Sequence, residues 1–283
     1  MEIKAEAAMV SVSIRHTPAD QRGDMINAWL DFPTAGLFAA LIAFYVLTGA
    51  LISWLCVGSP LHAKIQTMTG VVAPFFGAVS VLFALLTGFL ANDVGDRNRQ
   101  AWRAVHTESS AAASLHTLSV ASASDMAAIR VALRDYLQSV VRDEWRAMAA
   151  DGASPKTDAA LAALLHELSD PKIAAEAGQA VHSVLLSTAL RVRDARADRL
   201  ALASDRTNDL KWTTVLILGL LTQIALALVH LERPRAQVAA ITLFSIAAVV
   251  ALGLIALQEQ PFDGALRISP APLQEVLKAT AVP

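Results

Sequence analysis

Apolar and polar positions divide the chain into blocks before they form any finer pattern. Four apolar stretches, 38–57, 71–90, 212–231 and 237–257, each have close to the roughly 20 residues that a helix needs to cross the hydrocarbon core of a bilayer. They form two pairs, separated by a hydrophilic block over 92–211. No ionised side chain falls in the central part of any stretch. This matters because a charge at a helix centre costs roughly 2.5–3.5 kcal/mol on insertion, whereas each central Leu, Ile, Phe or Val returns only about 0.3–0.6 kcal/mol. The pattern predicts an all-α membrane protein with four transmembrane helices in 2 + 2 order and a helical domain inserted between the pairs. The expected units are a flexible polar N-terminal segment over 1–28, spans one and two within 29–91, the helical domain over 92–211, spans three and four within 212–257, and a C-terminal segment over 258–283.

Within the central block the periodicity is helical throughout, with no period-2 strand. Ser124-Asp125 opens one helix, carrying Met126, Ile129, Leu133, Tyr136, Leu137, Val140 and Met148 until Asp151-Gly152 stops it. Ser154-Pro155 and Asp170-Pro171 start two more in the favoured order of cap and then proline. No proline follows Pro171 before Pro234, so one helix is expected to run from the central block into the third span, with Val181, Leu185, Val192, Ala195 and Leu202 as its apolar seam. The helix of the second span is likewise expected to continue past Arg99, with Trp102, Val105, Ala112 and Leu115 on a common side. The mixed charges Arg191, Arg193, Asp194, Arg196, Asp198, Arg199 and Asp205 read as a solvated helix face with intrahelical pairs.

The second span carries the sharpest pattern. At about 100° per residue, Ala73, Gly77, Ser80, Ala84, Thr87, Gly88 and Ala91 share one stripe of small side chains along which another helix can approach closely. Beside the stripe runs an apolar ridge of Val72, Phe76, Val79, Phe83 and Leu90. The ridge fits either bundle and lipid packing or a pore shared by several subunits, where rings of such side chains make a constriction that gates by dewetting. On the pore reading Phe76, Phe83, Val72 and Val79 form the constriction. Ser80 and Thr87 are its polar neighbours, and Gly77, Ala84 and Gly88 are the helix-packing positions. In the third span Gln223 needs a partner away from lipid, and an interhelical hydrogen bond involving Thr222, Thr242 or Ser245 supplies one.

Charge sets the expected orientation. An even number of spans places both termini and the central block on one side, and of 23 Lys and Arg only Lys64, Arg233 and Arg235 fall on the other. Arg97, Arg99, Arg103, Arg199, Arg206 and Lys211 lie near the spans on the richer side, which is therefore expected to be cytoplasmic. The first span begins too far from the start, after several acidic residues, to resemble a cleaved signal peptide. A net charge of −2 provides no field for nucleic acid. Cys56 is the one cysteine, so neither an intrachain disulfide nor a cysteine-based zinc site is expected. There is no Gly-rich phosphate loop, no Gly-x-Ser-x-Gly elbow and no His-Glu-x-x-His pair, so no catalytic residue, metal or cofactor is expected.

Three stretches add a family resemblance: VHTESSAAASLHTL at 105–118, YLQSVVRDEWRAM at 136–148 and PFDGALRISPAP at 261–272. With the span order, they make the chain resemble the bestrophin-like domain family of bacterial and plant membrane proteins and, more distantly, the bestrophin anion channels. That resemblance implies a homo-oligomer, pentameric in true bestrophins, whose second spans surround a pore for small inorganic ions, with the neck at Phe76 and Phe83. It implies no calcium gate. Arg267 is followed by Ile268, Ser269 and Pro270, where animal bestrophins have a run of acidic residues. The expected function is an oligomeric, channel-like protein of the inner membrane that passes small anions. The alternative is a non-conducting sensor or scaffold acting through the helical domain.

Overall fold

The computed structural model of the chain describes residues 25–68, 73–122, 124–149 and 152–280. Val72 and most of the N-terminal segment expected to be flexible lie outside the described residues. Every regular element among the described residues is helical: α1 (Thr34–Val57), α2 (His62–Gln66), α3 (Ala73–Ala121), α4 (Ala127–Ser139), a π-helical turn (Val140–Glu144), α5 (Trp145–Met148), α6 (Pro155–Leu168), α7 (Pro171–Ala177), α8 (Gln179–Ser204), α9 (Asp209–Val229), α10 (Pro234–Ala256) and α11 (Ala271–Ala279). α1, the first part of α3, α9 and α10 are long and apolar enough to cross a membrane.

Local chemistry sets most of the helix starts. The Asp125 carboxylate accepts the Ala127 N–H at 2.9 Å, and that of Asp170 accepts the Lys172 N–H at 2.9 Å. Proline occupies the first turn of α6, α7, α10 and α11, where its missing N–H loses no helical bond. The 49 residues of α3 run without a break from the second apolar stretch into the polar half, about 73 Å at 1.5 Å per residue. The continuous helix expected from Pro171 into the third span is instead interrupted twice. Gly178 has φ 88°, a left-handed value that a side chain rarely tolerates, and it separates α7 from α8. Residues 205–208 separate α8 from α9, where the Asn208 side chain accepts the Leu210 N–H and the Thr207 N–H is drawn to the Glu259 carboxylate at 2.7 Å.

Two apolar cores result. In the polar half, Val105, Ala112 and Leu115 of α3 pack with Leu133 and Leu137 of α4, Leu164 of α6 and Leu185 and Val192 of α8. The Pro261-Phe262 turn enters this core, with the Phe262 ring set perpendicular to Trp145 at 5.7 Å. Trp102 departs from its expected place in the α3 seam: it is 54% exposed and stacks on His106 with ring centres 3.8 Å apart. In the membrane half, Tyr45, Phe83, Leu90, Trp212 and Leu252 form the core.

Charge distribution corrects the sequence reading of α8. Arg196 and Arg199, expected on a solvated face, are buried. Arg199 donates to Glu108 of α3 at 2.6 Å and to Glu144 of the π-helical turn at 2.8 Å, and its guanidinium lies 5.2 Å from the Trp145 ring. Arg196 donates to Glu144 at 2.5–3.1 Å and to Asp158 at 2.7 Å, and Tyr136 donates to Glu108 at 2.6 Å. Burial alone pulls both arginine pKa values down. The bonded carboxylates outweigh it and raise both. Burial, then the Glu108 charge, pushes the Tyr136 hydroxyl well above its ordinary value. Two arginines and two glutamates thus close around one another in the polar half, holding α3, α8 and the π-helical turn in register.

Candidate functional site

α3 has an inner and an outer face. Its span turns Phe83, Leu90 and Val94 inward, and the Phe83 ring meets Phe244 of α10 edge-on at 5.3 Å. Phe76 and Val79 are half-buried on the same side. The ridge read from the sequence is therefore the seam by which α3 packs on its own chain, and Phe83 does not face outward. The outer face has two strips. One is the stripe of small residues, with Ala84 and Gly88 exposed and Gly77 half-exposed; a Cβ added at Gly77 or Gly88 would meet nothing within 4 Å. The other, which sequence reasoning missed, is a second apolar ridge of Phe75, Val81, Leu82, Leu85 and Phe89, each at least 50% exposed. Periodicity separates the two ridges but does not tell which one meets α10. Ser80 and Thr87 lie between the faces, half-buried; Ser80 donates to the Gly77 carbonyl at 3.1 Å and the Thr87 hydroxyl has no partner.

The coverage of the four spans differs sharply. Only 6% of the most apolar window of α3 is buried within the chain, against 22% for α1, 39% for α10 and 44% for the window leading through α9. The other three spans hold each other tightly. Gln223 of α9 accepts from Thr48 at 2.7 Å and donates to the Tyr45 carbonyl at 3.0 Å and to Ser245 at 2.9 Å, tying α1, α9 and α10 together. Thr222 instead donates to Leu218 in its own helix, at 2.7 Å. Gly219 allows Tyr45 to approach: a Cβ there would collide with the Tyr45 hydroxyl.

The polar ends of the spans meet at a buried ion pair. Glu259, 1% exposed and just past α10, accepts from Arg97 of α3 at 2.5 Å, from the Thr207 N–H and from the Trp212 indole at 3.3 Å. Arg97 also donates to the Asp205 carbonyl at 3.0 Å, so a single pair joins α3, the α8–α9 break and the exit of α10. Lys211 pairs with Asp93, and Asp31 accepts from Arg206 at 2.9 Å and Gln260 at 2.6 Å. Arg97 and Glu259 are 162 positions apart in the chain, and no local pattern announces their pairing.

Beyond the membrane half the outer face of α3 continues on the same side of the helix, and its chemistry changes at Asn92. Exposed Arg99, Arg103, Thr107, Ser110, Ser114 and Thr117 follow the apolar ridge. One unbroken helix thus presents a face that is apolar over its first half and basic and hydroxylated over its second.

Comparison with known proteins places this architecture. Solved structures of substituted forms of a bacterial bestrophin homologue from Klebsiella pneumoniae superpose with TM-scores of 0.68 and 0.64. They are 15% and 16% identical in sequence, covering 84% and 86% of this chain and 97% and 96% of theirs. No curated protein matches the chain. The bestrophin-like domain model matches residues 43–273, from α1 to the first turn of α11. The chain therefore belongs to the bestrophin-like family of integral membrane proteins.

Proposed function

We propose that the protein is an oligomeric channel passing small anions, with copies of α3 surrounding the path. The observation that carries this reading is the open outer face of α3. A span with only 6% of the residues in its most apolar window buried by its own chain, and with two glycines at which an added Cβ would meet nothing within 4 Å, is suited to close approach by another copy. The stripe of Gly77, Ala84 and Gly88 is the side on which neighbouring α3 helices approach, and Val81, Leu85 and Phe89 form the narrow apolar part of the path. The inner ridge of Phe76, Val79 and Phe83 backs that wall, with Ser80 and Thr87 at its edge. Val72 lies outside the described residues. The assembly is a homo-oligomer, a pentamer by likeness to true bestrophins, in the inner membrane. Its termini and helical half are cytoplasmic, and the basic outer face of α3 forms a vestibule wall.

A ring of large aliphatic and aromatic side chains obstructs hydrated ions by dewetting, so its removal is expected to raise conduction. The test is chloride flux from proteoliposomes holding purified protein. Flux is expected from the wild type, with a several-fold increase in Leu85→Ser and a smaller response in Phe83→Ala. A monomeric protein in detergent, or an oligomer without flux under any ionic condition, would leave the non-conducting scaffold as the reading.

A further inference from the structure

We propose that the groove between α3 and α8 is a binding site for a soluble oxyanion, a group of the phosphate or carboxylate class. The groove holds about 410 Å³ and is lined by Arg103, His106, Thr107 and Ser110 of α3, by Arg191 of α8, and by Trp102. Among the described residues, neither Arg103 nor Arg191 forms an ion pair or a hydrogen bond, whereas Arg97, Arg99, Arg193, Arg196 and Arg199 along the same two helices are all paired. Two guanidinium groups lining one concave surface without a carboxylate leave their donors for a ligand, and bidentate donation is the geometry that guanidinium offers to oxyanions. The hydroxyls of Thr107 and Ser110 add donors on the same wall. Asp198 of α8 lines the adjoining groove with Arg103 and forms no ion pair with it within 4.0 Å.

Position favours a free anion over a lipid headgroup. Arg103 is 11 residues beyond Asn92, about 16 Å along a helix rising 1.5 Å per residue. The headgroup layer extends only about 5–8 Å beyond the hydrocarbon core. The exposed Trp102, held against His106, provides an apolar platform beside the cationic pair, so an aromatic oxyanion fits better than an inorganic one. Any part this site plays in loading a pore rests on the channel reading above; the binding itself does not.

The test is isothermal titration of the full-length protein in phospholipid-free detergent with inorganic phosphate and with phenyl phosphate, at constant ionic strength. Saturable binding of both probes is expected, tighter for phenyl phosphate. Arg103→Ala and Arg191→Ala should each weaken it tenfold or more, while Trp102→Ala should remove the preference for phenyl phosphate. Arg134→Ala, which removes an exposed arginine of α4 outside the groove, should change neither affinity. Unchanged melting curves for the arginine variants would show that they fold. The proposal is overturned by non-saturable binding, by an equal loss in Arg134→Ala, or by binding seen only with vesicles of a phosphate-headgroup lipid. Because the titration needs no conduction, its failure and a failure of the channel reading are separate results.

Discussion

The membrane half and the helical half of the molecule place their unusual groups in opposite ways. In the helical half, ions that water would solvate well are sealed inside, with Glu108, Glu144 and Arg199 entirely buried. In the membrane half, the span richest in small residues is left outside, its apolar window 6% buried. The comparison teaches where each half is specified. The helical half is completed within one chain by paired charges, since an unpaired buried ion costs several kcal/mol. The second span is left largely uncovered within one chain, as the proposed packing of several copies around a shared path requires.

Breaking the buried network should have the largest effect. Arg199→Met leaves Glu108 and Glu144 short of a partner and should lower subunit stability by about 3–5 kcal/mol in denaturant unfolding. The double change with Glu108→Gln should recover part of that loss, because it removes one of the two stranded charges. Glu259→Ala strands Arg97 and frees the Thr207 N–H, and should lower stability by roughly 2–3 kcal/mol. Its signature is a loss of protection in hydrogen exchange centred on residues 205–208. Gln223→Leu removes the contacts joining α1, α9 and α10, and should lower thermal stability in detergent by about 0.6–1.7 kcal/mol. At the open face the expected effect on the single subunit is the smallest. At Gly88 an added Cβ meets nothing within 4 Å outside its own stretch of helix, so Gly88→Val should leave subunit stability within about 0.5 kcal/mol. The oligomer measured by light scattering should nevertheless dissociate, which separates the two halves most sharply.

Sequence disclosed those parts of the fold that rest on local rules. The four spans follow from apolar run length, and the starts at Ala127, Pro155 and Pro171 follow from side chains one or two positions away. The unbroken α3 follows from the absence of any breaker after Pro74. What depends on distant partners was not legible. Arg196 and Arg199 alternate with aspartates as on a solvated helix, and it is Glu108, Glu144 and Asp158, on other elements, that hold them inside. The α8–α9 break is fixed partly by Glu259, some fifty residues later in the chain. The candidate site was half legible: the small stripe was visible, but two apolar ridges flank the helix and only the position of Phe244 decides that Phe83 is inside and Leu85 outside.

The central claim, that the outer face of α3 lines a water-filled path while its inner ridge does not, is tested most directly by thiol accessibility. Cys56, the chain's one cysteine, is first replaced in Cys56→Ser. Leu85→Cys and Phe83→Cys in that background are then reconstituted and exposed to a membrane-impermeant, charged thiol reagent during chloride flux. The account predicts that Leu85→Cys is modified and its flux blocked, while Phe83→Cys is untouched. Modification and block at Phe83→Cys with Leu85→Cys inert would contradict it.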